Sequence, residues 1–594
     1  MKDFIKYTLA SMVGVMLVGV FTFVMSMVMI TAVGLLSDDP GSIKSHSVLH
    51  LHLSGTLQDR ADAENPLAEL MGNSALASQG LDDYLTAIRE AATNDDVDGI
   101  YIESGVLDSD YATLQALRKA LVEFKKSKKF IVAYADSYTQ AGYYVASVAD
   151  KVYLNPAGML DWHGIASQPI FYTGLLEKLG VKMQVFKVGT YKSAVEPFIL
   201  KGMSDANRTQ VSSFISDIWQ GVATAVSQSR RLPLDSLNAY ADRYVTFSDA
   251  MDYKRLRLVD DLLYVDQVRD VLRKRVGGVA PKLVTPTQLA LTAQPKSADD
   301  KVAVYYAEGS IVDVSGTGAM MGSSQEIVGS KVVSDLDALA NDKKVKAVVL
   351  RINSGGGSAY ASEQMWRAVQ LLKKKKPVVV SMGGMAASGG YYMACGANYI
   401  FAEPATLTGS IGIFGMIPDA SELLTQKLGL NFDVVKTNES ADLYSMGRPF
   451  NATEGAALQG HVNRGYKLFI TRVANGRTAA GKKMNLDDVD RIGQGRVWTG
   501  NQALKNGLVD RLGSLEDAVK YAARLGKLKD YEATTYPAQP GWFEQFSKAT
   551  EQDDYMERKM RTMLGQYYEP LSFMVNAKQH NTLQARMFFI PNLQ

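Results

Sequence analysis

Two short segments of this chain combine residue types that suit acyl transfer. The first, Val378 to Tyr392 (VVVSMGGMAASGGYY), runs from a β-branched apolar stretch through small residues to Ser388, which opens a helix. A serine at such an elbow has little bulk around it, so a carbonyl can approach its Oγ. The first amides of a helix lack intrahelical acceptors, and the N–H of Gly389 therefore qualifies as one arm of an oxyanion hole. The second segment, Arg351 to Ser358 (RINSGGGS), follows another buried-strand pattern. Three consecutive glycines let backbone close on a ligand with no Cβ in the way. Gly356, with Gly357 beside it, is the candidate second donor. Taken alone, RINSGGGS reads as a glycine-rich turn before an N-cap serine. Both segments on consecutive strands are more specific, because strand ends on one edge of a parallel sheet converge on a crevice.

A serine hydroxyl needs a base to become a nucleophile. The histidines are His46, His50, His52, His163, His461 and His580, and none lies in either segment or in an H-E-x-x-H motif. Distance in space is not legible in sequence, so His163 and His461 stay open as partners in a triad. Lysine is the other choice. To accept a proton it must be neutral, so its pKa has to fall from about 10.4 to roughly 7–8. That shift is worth about 4 kcal/mol, which burial can supply. His50 and His52 alternate on one strand face, a spacing open to a metal pair but ordinary for a surface strand. No metal site is expected. Cys395 is the sole cysteine, so no intramolecular disulfide forms, and it reads as a small buried helix residue.

The elements that must hold these residues occur twice. Gln140–Leu154 (QAGYYVASVADKVYL) matches Ser388–Ala402 (SGGYYMACGANYIFA) at a spacing of 248 residues. The same spacing relates Val97–Ile102 to Val345–Leu350, Pro156 to Pro404, and Gly164 to Gly412. Ser54–Asp59 also resembles Glu308–Asp313. Within the second copy, Val345–Leu350 and Pro377–Ser381 read as buried strands. Ser362–Lys373 between them reads as a helix with Met365, Trp366, Val369 and Leu372 on its apolar face. Strand–helix–strand order implies an α/β unit with right-handed crossovers. The expected organisation is a stub and anchor (1–40), an α/β repeat (45–284), a linker (285–300), a second repeat (301–535) and a partly helical tail (536–594).

With 594 residues the chain is too long for one ordinary domain. Its net charge of +2 offers no basic excess for phosphates, so no nucleic-acid partner is expected. Thr8 to Leu36 holds 29 residues without a charge, and about 20 span a bilayer. The run is longer than a signal-peptide core and no A-x-A-like site follows it, which predicts an uncleaved anchor in membrane lipid. Lys2 and Lys6 precede it, and Asp38 and Asp39 follow. The positive-inside tendency then puts the body outside the cytoplasm, in the periplasm of a Gram-negative cell.

The segments RINSGGGS, SMGGMAASGGYY, LTGSIGIFG and GRVWTGNQALKNGLVDRLG resemble the signal peptide peptidase A (protease IV) family in its long double-repeat form. That likeness runs from the anchor to about residue 535. It implies tandem repeats of the Clp protease/crotonase superfamily, no cofactor, a homotetramer, and hydrophobic signal-peptide remnants as substrates at the bacterial inner membrane. One departure is Gly355, where the family usually has proline; the loop is then more flexible, by about 0.5–1 kcal/mol of ordering.

By the same resemblance the base is Lys192, in Val188–Pro197 (VGTYKSAVEP), paired with Ser388 in a Ser–Lys dyad. Apart from the family, Lys192 reads as a surface charge. The family also assigns a serine matching Ser410 to hydrogen bonding with the lysine; a turn serine or a rival nucleophile are the other readings of Ser410. The repeat adds a separate argument. The first copy has Gln140 opposite Ser388 and Trp162 opposite Ser410, and the second has Ala441 opposite Lys192. Neither copy keeps both groups, so the site is expected where the copies meet. Two other functions remain at this stage: a crotonase-type acyl-CoA enzyme and a non-catalytic membrane scaffold.

Overall fold

The computed structural model describes residues 43–61, 79–293, 298–314, 326–538 and 583–587, with scattered positions between 6 and 25. The apolar run 8–36 lies mostly outside the described residues, and so does most of the tail. Among the described residues no helix is long and apolar enough to cross a membrane.

The first copy is built on β1 (Ser47–Gln58), β2 (Val97–Asp108), β3 (Phe130–Ala135) and β4 (Lys151–Leu154), all parallel neighbours in that order. After these strands, β5 (Lys182–Lys187) leaves the sheet for the other half of the molecule. The second copy repeats the pattern with β6 (Lys301–Glu308), β8 (Val345–Ser354), β10 (Val378–Ala387) and β11 (Tyr399–Ala402), again parallel neighbours. The short strands β7 (Ser310–Val312) and β9 (Gly356–Ser358) branch off the ends of β6 and β8, and β12 (Leu407–Gly409) runs parallel to the end of β10. The 248-residue spacing is visible as a structural repeat, since β2 and β8, β3 and β10, and β4 and β11 each start at matched positions.

Every residue of β10 is buried, which suits a central strand covered on both faces. The expected strand at 377–381 therefore continues to Ala387. Its glycines admit the neighbours: a Cβ on Gly384 would meet the Asp110 carboxylate at 2.5 Å, and one on Gly383 would meet Asn353 at 3.1 Å. In the first copy, α1 (Tyr111–Phe124) is capped by Asp110, and α2 (Gln140–Ala146) by Thr139. In the second, α3 (Ala359–Lys373) begins three residues before the expected helix, because the Ser358 hydroxyl accepts from the Ala361 amide at 3.2 Å. The helix α4 (Gly389–Ala394) follows Ser388 directly.

Within the linker segment, Thr285 caps a helix at Pro286–Thr292 whose Leu289 is fully buried. The halves share hydrophobic core: Met385, Ala387, Leu407 and Val497 pack in one cluster with β1 to β3. A third sheet joins them. Its order is Glu326–Val328, β7, β9, β14 (Gln584–Arg586), β13 (Phe414–Asp419), β5. Six residues of β5 pair antiparallel with β13, which fixes where the chain after Lys187 can go.

Candidate active site

Ser388 follows β10 and is the N-cap of α4, with φ 53° and ψ −111°. Positive φ is strained for a residue with a Cβ, and such strain persists only where the surroundings over-determine it. Here the Ser388 amide donates to the Gly409 carbonyl at 2.8 Å, while its own carbonyl accepts from Tyr392 at 2.8 Å, the first bond of α4. The hydroxyl caps nothing and is left for other work. Room comes from small neighbours: a Cβ on Gly389 would meet Ser362 Oγ at 2.6 Å, and one on Gly390 would meet the Ser354 carbonyl at 2.9 Å.

Lys192 arrives from the other copy. After β5 the chain turns at Gly189, whose φ is 107° and where a Cβ would meet the Gln494 backbone at 2.5 Å. Tyr191 then donates to the Gln494 carbonyl at 2.8 Å. The lysine stem lies against two further glycines: a Cβ on Gly495 would meet Lys192 N at 2.5 Å, and one on Gly412 would meet its Cδ at 3.0 Å. Its Nζ reaches Ser388 Oγ at 2.9 Å, Ser410 Oγ at 3.0 Å and the Ser410 carbonyl at 3.1 Å. Only 1% of Lys192 is exposed, and Ser388 and Ser410 are equally buried. Burial is the sole cause that pulls the amine down from 10.5 to about 7.

The three oxygen neighbours satisfy the nitrogen in either protonation state. An ammonium donates to all three; a neutral amine donates to the Ser410 carbonyl and hydroxyl and keeps its lone pair for the Ser388 O–H. Ser410 itself has φ 49°, and its amide is held by the Arg496 carbonyl at 2.7 Å.

The glycine loop lies alongside. Gly356 has φ 94°, a conformation open to glycine, and a Cβ there would meet the Gly389 nitrogen at 2.6 Å. Its N–H donates to Ser354 Oγ at 3.1 Å. Gly357 pairs with Ile311 of β7 on one side and Ala585 of β14 on the other. Just before the loop, buried Arg351 makes a two-pronged pair with Asp59 of the first copy, at 2.6 and 3.0 Å, and donates to Ser381 Oγ and the Met382 carbonyl. This clamp ties β8 and β10 to the other half. Beside Lys192 and Ser410 opens a pocket of about 560 Å³ with apolar walls from Phe171, Val211, Phe214 and Leu407.

The structure thus brings Ser388, Lys192, Ser410, Gly389, Gly356 and Gly357 into one place. The histidines left open do not join them: His163 pairs with Asp161 at 3.1 Å, and His461 is exposed. His50 bonds Glu103 at 2.7 Å on the first sheet, with His52 beside them. Ala441 lies in an exposed stretch between β13 and the helix Ala452–Ala479. Sequence reasoning missed Arg351, Asp59 and the clearance glycines Gly189, Gly412 and Gly495. The match of Asp59 to Asp313 in the repeat, and of Gly412 to Gly164, were the available signals.

A parallel α/β unit that presents a buried serine on a strained strand–helix elbow, next to a lysine amine, has the makings of a serine hydrolase. Comparison with known proteins narrows this. The peptidase family S49 model matches residues 123–278 and 370–529, one segment in each copy, and the Clp protease model matches 317–406. The chain is 36% identical to Protease 4 of Salmonella typhi, over 84% of this chain and 81% of that protein. It is 34% identical to Protease 4 of Haemophilus influenzae, over 82% and 80%. With the chloroplastic serine protease SPPA of Arabidopsis thaliana the identity is 30%, over 81% and 69%. The chain belongs to peptidase family S49, with Clp protease-like repeats, and is a serine peptidase. That membership sets aside the acyl-CoA enzyme and the non-catalytic scaffold.

Proposed function

We propose that this peptidase works through a Ser–Lys dyad, Ser388 as nucleophile and Lys192 as base, on hydrophobic peptides that include signal-peptide remnants. The observation that carries this reading is the 2.9 Å contact between Lys192 Nζ and Ser388 Oγ in a fully buried setting. Neutral Lys192 accepts the Ser388 proton as Oγ attacks a peptide carbonyl. The Gly389 amide and the glycine loop stabilise the oxyanion. Gly356 and Gly357 are the candidate donors of that loop; in this structure the Gly356 N–H donates to Ser354 Oγ at 3.1 Å and Gly357 lies in the ladder with Ala585. Lys192 then hands its proton to the leaving amine, and water releases the acyl group. Ser410 orients the amine. The chemistry needs only side chains, backbone amides and water.

The substrate class is supported by the apolar pocket beside the dyad. In this reading residues 8–36 anchor the chain in the bacterial inner membrane, the body faces the periplasm, and protomers assemble as a homotetramer. A fluorophosphonate probe and an apolar peptide substrate test the dyad. Labelling at Ser388, lost in Ser388→Ala, and hydrolysis lost in Lys192→Ala are the expected results. Near-normal hydrolysis by Lys192→Ala would sink it.

A further inference from the structure

One cluster of side chains outside the active site has donors of the kinds that bind metals and no part in the peptidase chemistry. It lies on the first sheet. Along β1, Leu49, Leu51 and Leu53 point into the main core and are fully buried, so His50 and His52 share the opposite face. On β2, Ile100 and Ile102 point inward as well, which puts Tyr101 and Glu103 on the face of the histidines. The register is direct: His50 pairs with Tyr101, and His52 with Glu103. Val268 and Leu272 of the helix Val265–Arg275 pack in one cluster with Val48 and Tyr101. His50 and Glu103 stay half-buried, and His52 is exposed. The spacing of the two histidines is ordinary by itself; the third donor comes from the neighbouring strand.

The donor atoms are close together. His50 Nε2 is 2.7 Å from Glu103 Oε2, and His52 Nδ1 is 4.0 Å from the same oxygen. One ligating atom from each residue lies within 4.8 Å of the other two. A tetrahedral zinc ion with ligands at about 2.0–2.2 Å would hold neighbouring donors about 3.3 Å apart. The three atoms bracket that spacing, so small side-chain rotations bring them to it. The Tyr101 ring stacks on His50 with centroids 5.1 Å apart and 12° between the planes, which fixes that imidazole. The second copy supplies a contrast. By strand register, Val304, Tyr306 and Arg351 take the places of His50, His52 and Glu103. Val304 packs with Ala518 and Ala522 of the helix Leu515–Leu525, and Arg351 is committed to Asp59. All three candidate ligands therefore occur together in one copy and are all replaced in the other.

We propose that His50, His52 and Glu103 bind one zinc ion, with water in the fourth position, as a staple between β1 and β2 of the first copy. Two imidazoles and one carboxylate suit zinc and its transition-metal neighbours, whereas magnesium and calcium take oxygen ligands. The exposed edge of the cluster, at His52, gives the ion its way in. The ion takes the place of the His50–Glu103 hydrogen bond and joins the two strands through side chains as well as main chain. β1 ends at Gln58, and the next residue is Asp59, whose carboxylate holds Arg351 at the foot of the glycine loop. A staple on β1 thus stiffens the strand pair behind that clamp. Its role is structural, and it stands apart from the Ser388–Lys192 chemistry.

Calorimetric titration of zinc chloride into the purified, chelator-treated full chain tests this. A single saturable zinc site is expected. His52→Ala and Glu103→Gln should each weaken it at least about 100-fold, since losing even a partner behind a metal ligand costs about 10–100-fold in affinity. His46→Ala removes a histidine that pairs with Asp98 at 2.9 Å nearer the start of β1, and should leave the site intact. Zinc should also raise the denaturation midpoint of the wild type and not that of His52→Ala, as a ligand of the folded state must. Hydrolysis of an apolar peptide by each variant reports that it has folded. A wild type without a saturable zinc site, a site that survives in both His52→Ala and Glu103→Gln, or displacement of the zinc by excess magnesium overturns the proposal. Each of these outcomes leaves the dyad reading untouched.

Discussion

Positions 140 and 388 occupy the same elbow in two copies of one fold, and they are used in opposite ways. In the first copy the Gln140 carboxamide is saturated. Its Nε2 donates to Tyr111 Oη and the Gly164 carbonyl, both at 2.9 Å, and its Oε1 accepts from the His163 and Gly164 amides at 3.1 and 3.0 Å. Trp162, opposite Ser410, is fully buried, packs on Tyr143 and Trp219, and donates to the Leu237 carbonyl at 2.9 Å. The elbow there is plugged, and its φ is not positive. In the second copy the same elbow is strained, lined by small residues and hollow, and the first copy fills the hollow with a lysine. One copy spends the position on stability and the other on a reactive group, so the duplication lets a single chain supply both the wall and the amine.

The comparison breaks most plainly if the plugged elbow turns out to matter for chemistry as much as the strained one. Ser388→Ala and Lys192→Ala should each lower peptide kcat by about 10⁴-fold, the scale seen when members of a catalytic unit are removed. A fluorogenic apolar peptide reads this out. Comparable residual rates in the single and double variants would mark the two groups as one unit.

The next largest effect is that of pH. Lys192 must be neutral to act, and burial holds its midpoint near 7. Below that value the amine is protonated and the rate should fall about tenfold per unit; above it the rate should reach a plateau. A kcat profile from pH 5 to 9 checks the sign, and a rate that falls as pH rises through 7 would contradict a lysine base. Ser410→Ala should cost about tenfold in kcat, since one of the two N–H acceptors is lost. The charged amine loses more from that deletion than the neutral one, so the midpoint should move down rather than up. A merely structural role for Ser410 would leave the midpoint in place.

Much of the second copy's elbow was legible because residue type and local spacing carry it. A serine flanked by glycines after a buried strand, and three glycines after another, need no distant information. The strands and α3 came from periodicity, with errors at the ends: Ser358 starts α3 earlier than expected, and β10 runs on through glycines that packing, not propensity, keeps extended. Lys192 was different. Its own neighbourhood says nothing of burial, because the residues that enclose it, Gly412, Gly495 and Ser410, lie more than two hundred positions away. The Asp59–Arg351 clamp was invisible for the same reason. So was β14, a three-residue strand whose pairing is decided by the groove it enters and not by its own pattern.

The smallest expected effect separates the copies by stability. Gln140→Ala removes four hydrogen bonds and leaves Tyr111 Oη in a buried setting, and the His163 and Gly164 amides and the Gly164 carbonyl in a part-buried one, without that partner. Unsatisfied buried groups cost about 1–3 kcal/mol each, softened where water or relaxation reaches them, so a net loss of about 3 kcal/mol is expected. The kcat for an added peptide should stay close to wild type, because the plugged elbow touches no substrate. Ser388→Gly should do the reverse. Reflecting φ 53°, ψ −111° through the origin gives the ordinary extended region, which glycine alone can visit in mirror image. Losing the Cβ therefore relieves strain worth about 1 kcal/mol while hydrolysis disappears. Chemical denaturation of the two variants beside wild type measures both signs. If Ser388→Gly proved less stable than wild type, the strain at the elbow would not be the cost of holding a nucleophile there. If Gln140→Ala lost activity along with stability, the first copy would be more than a wall and a lysine donor.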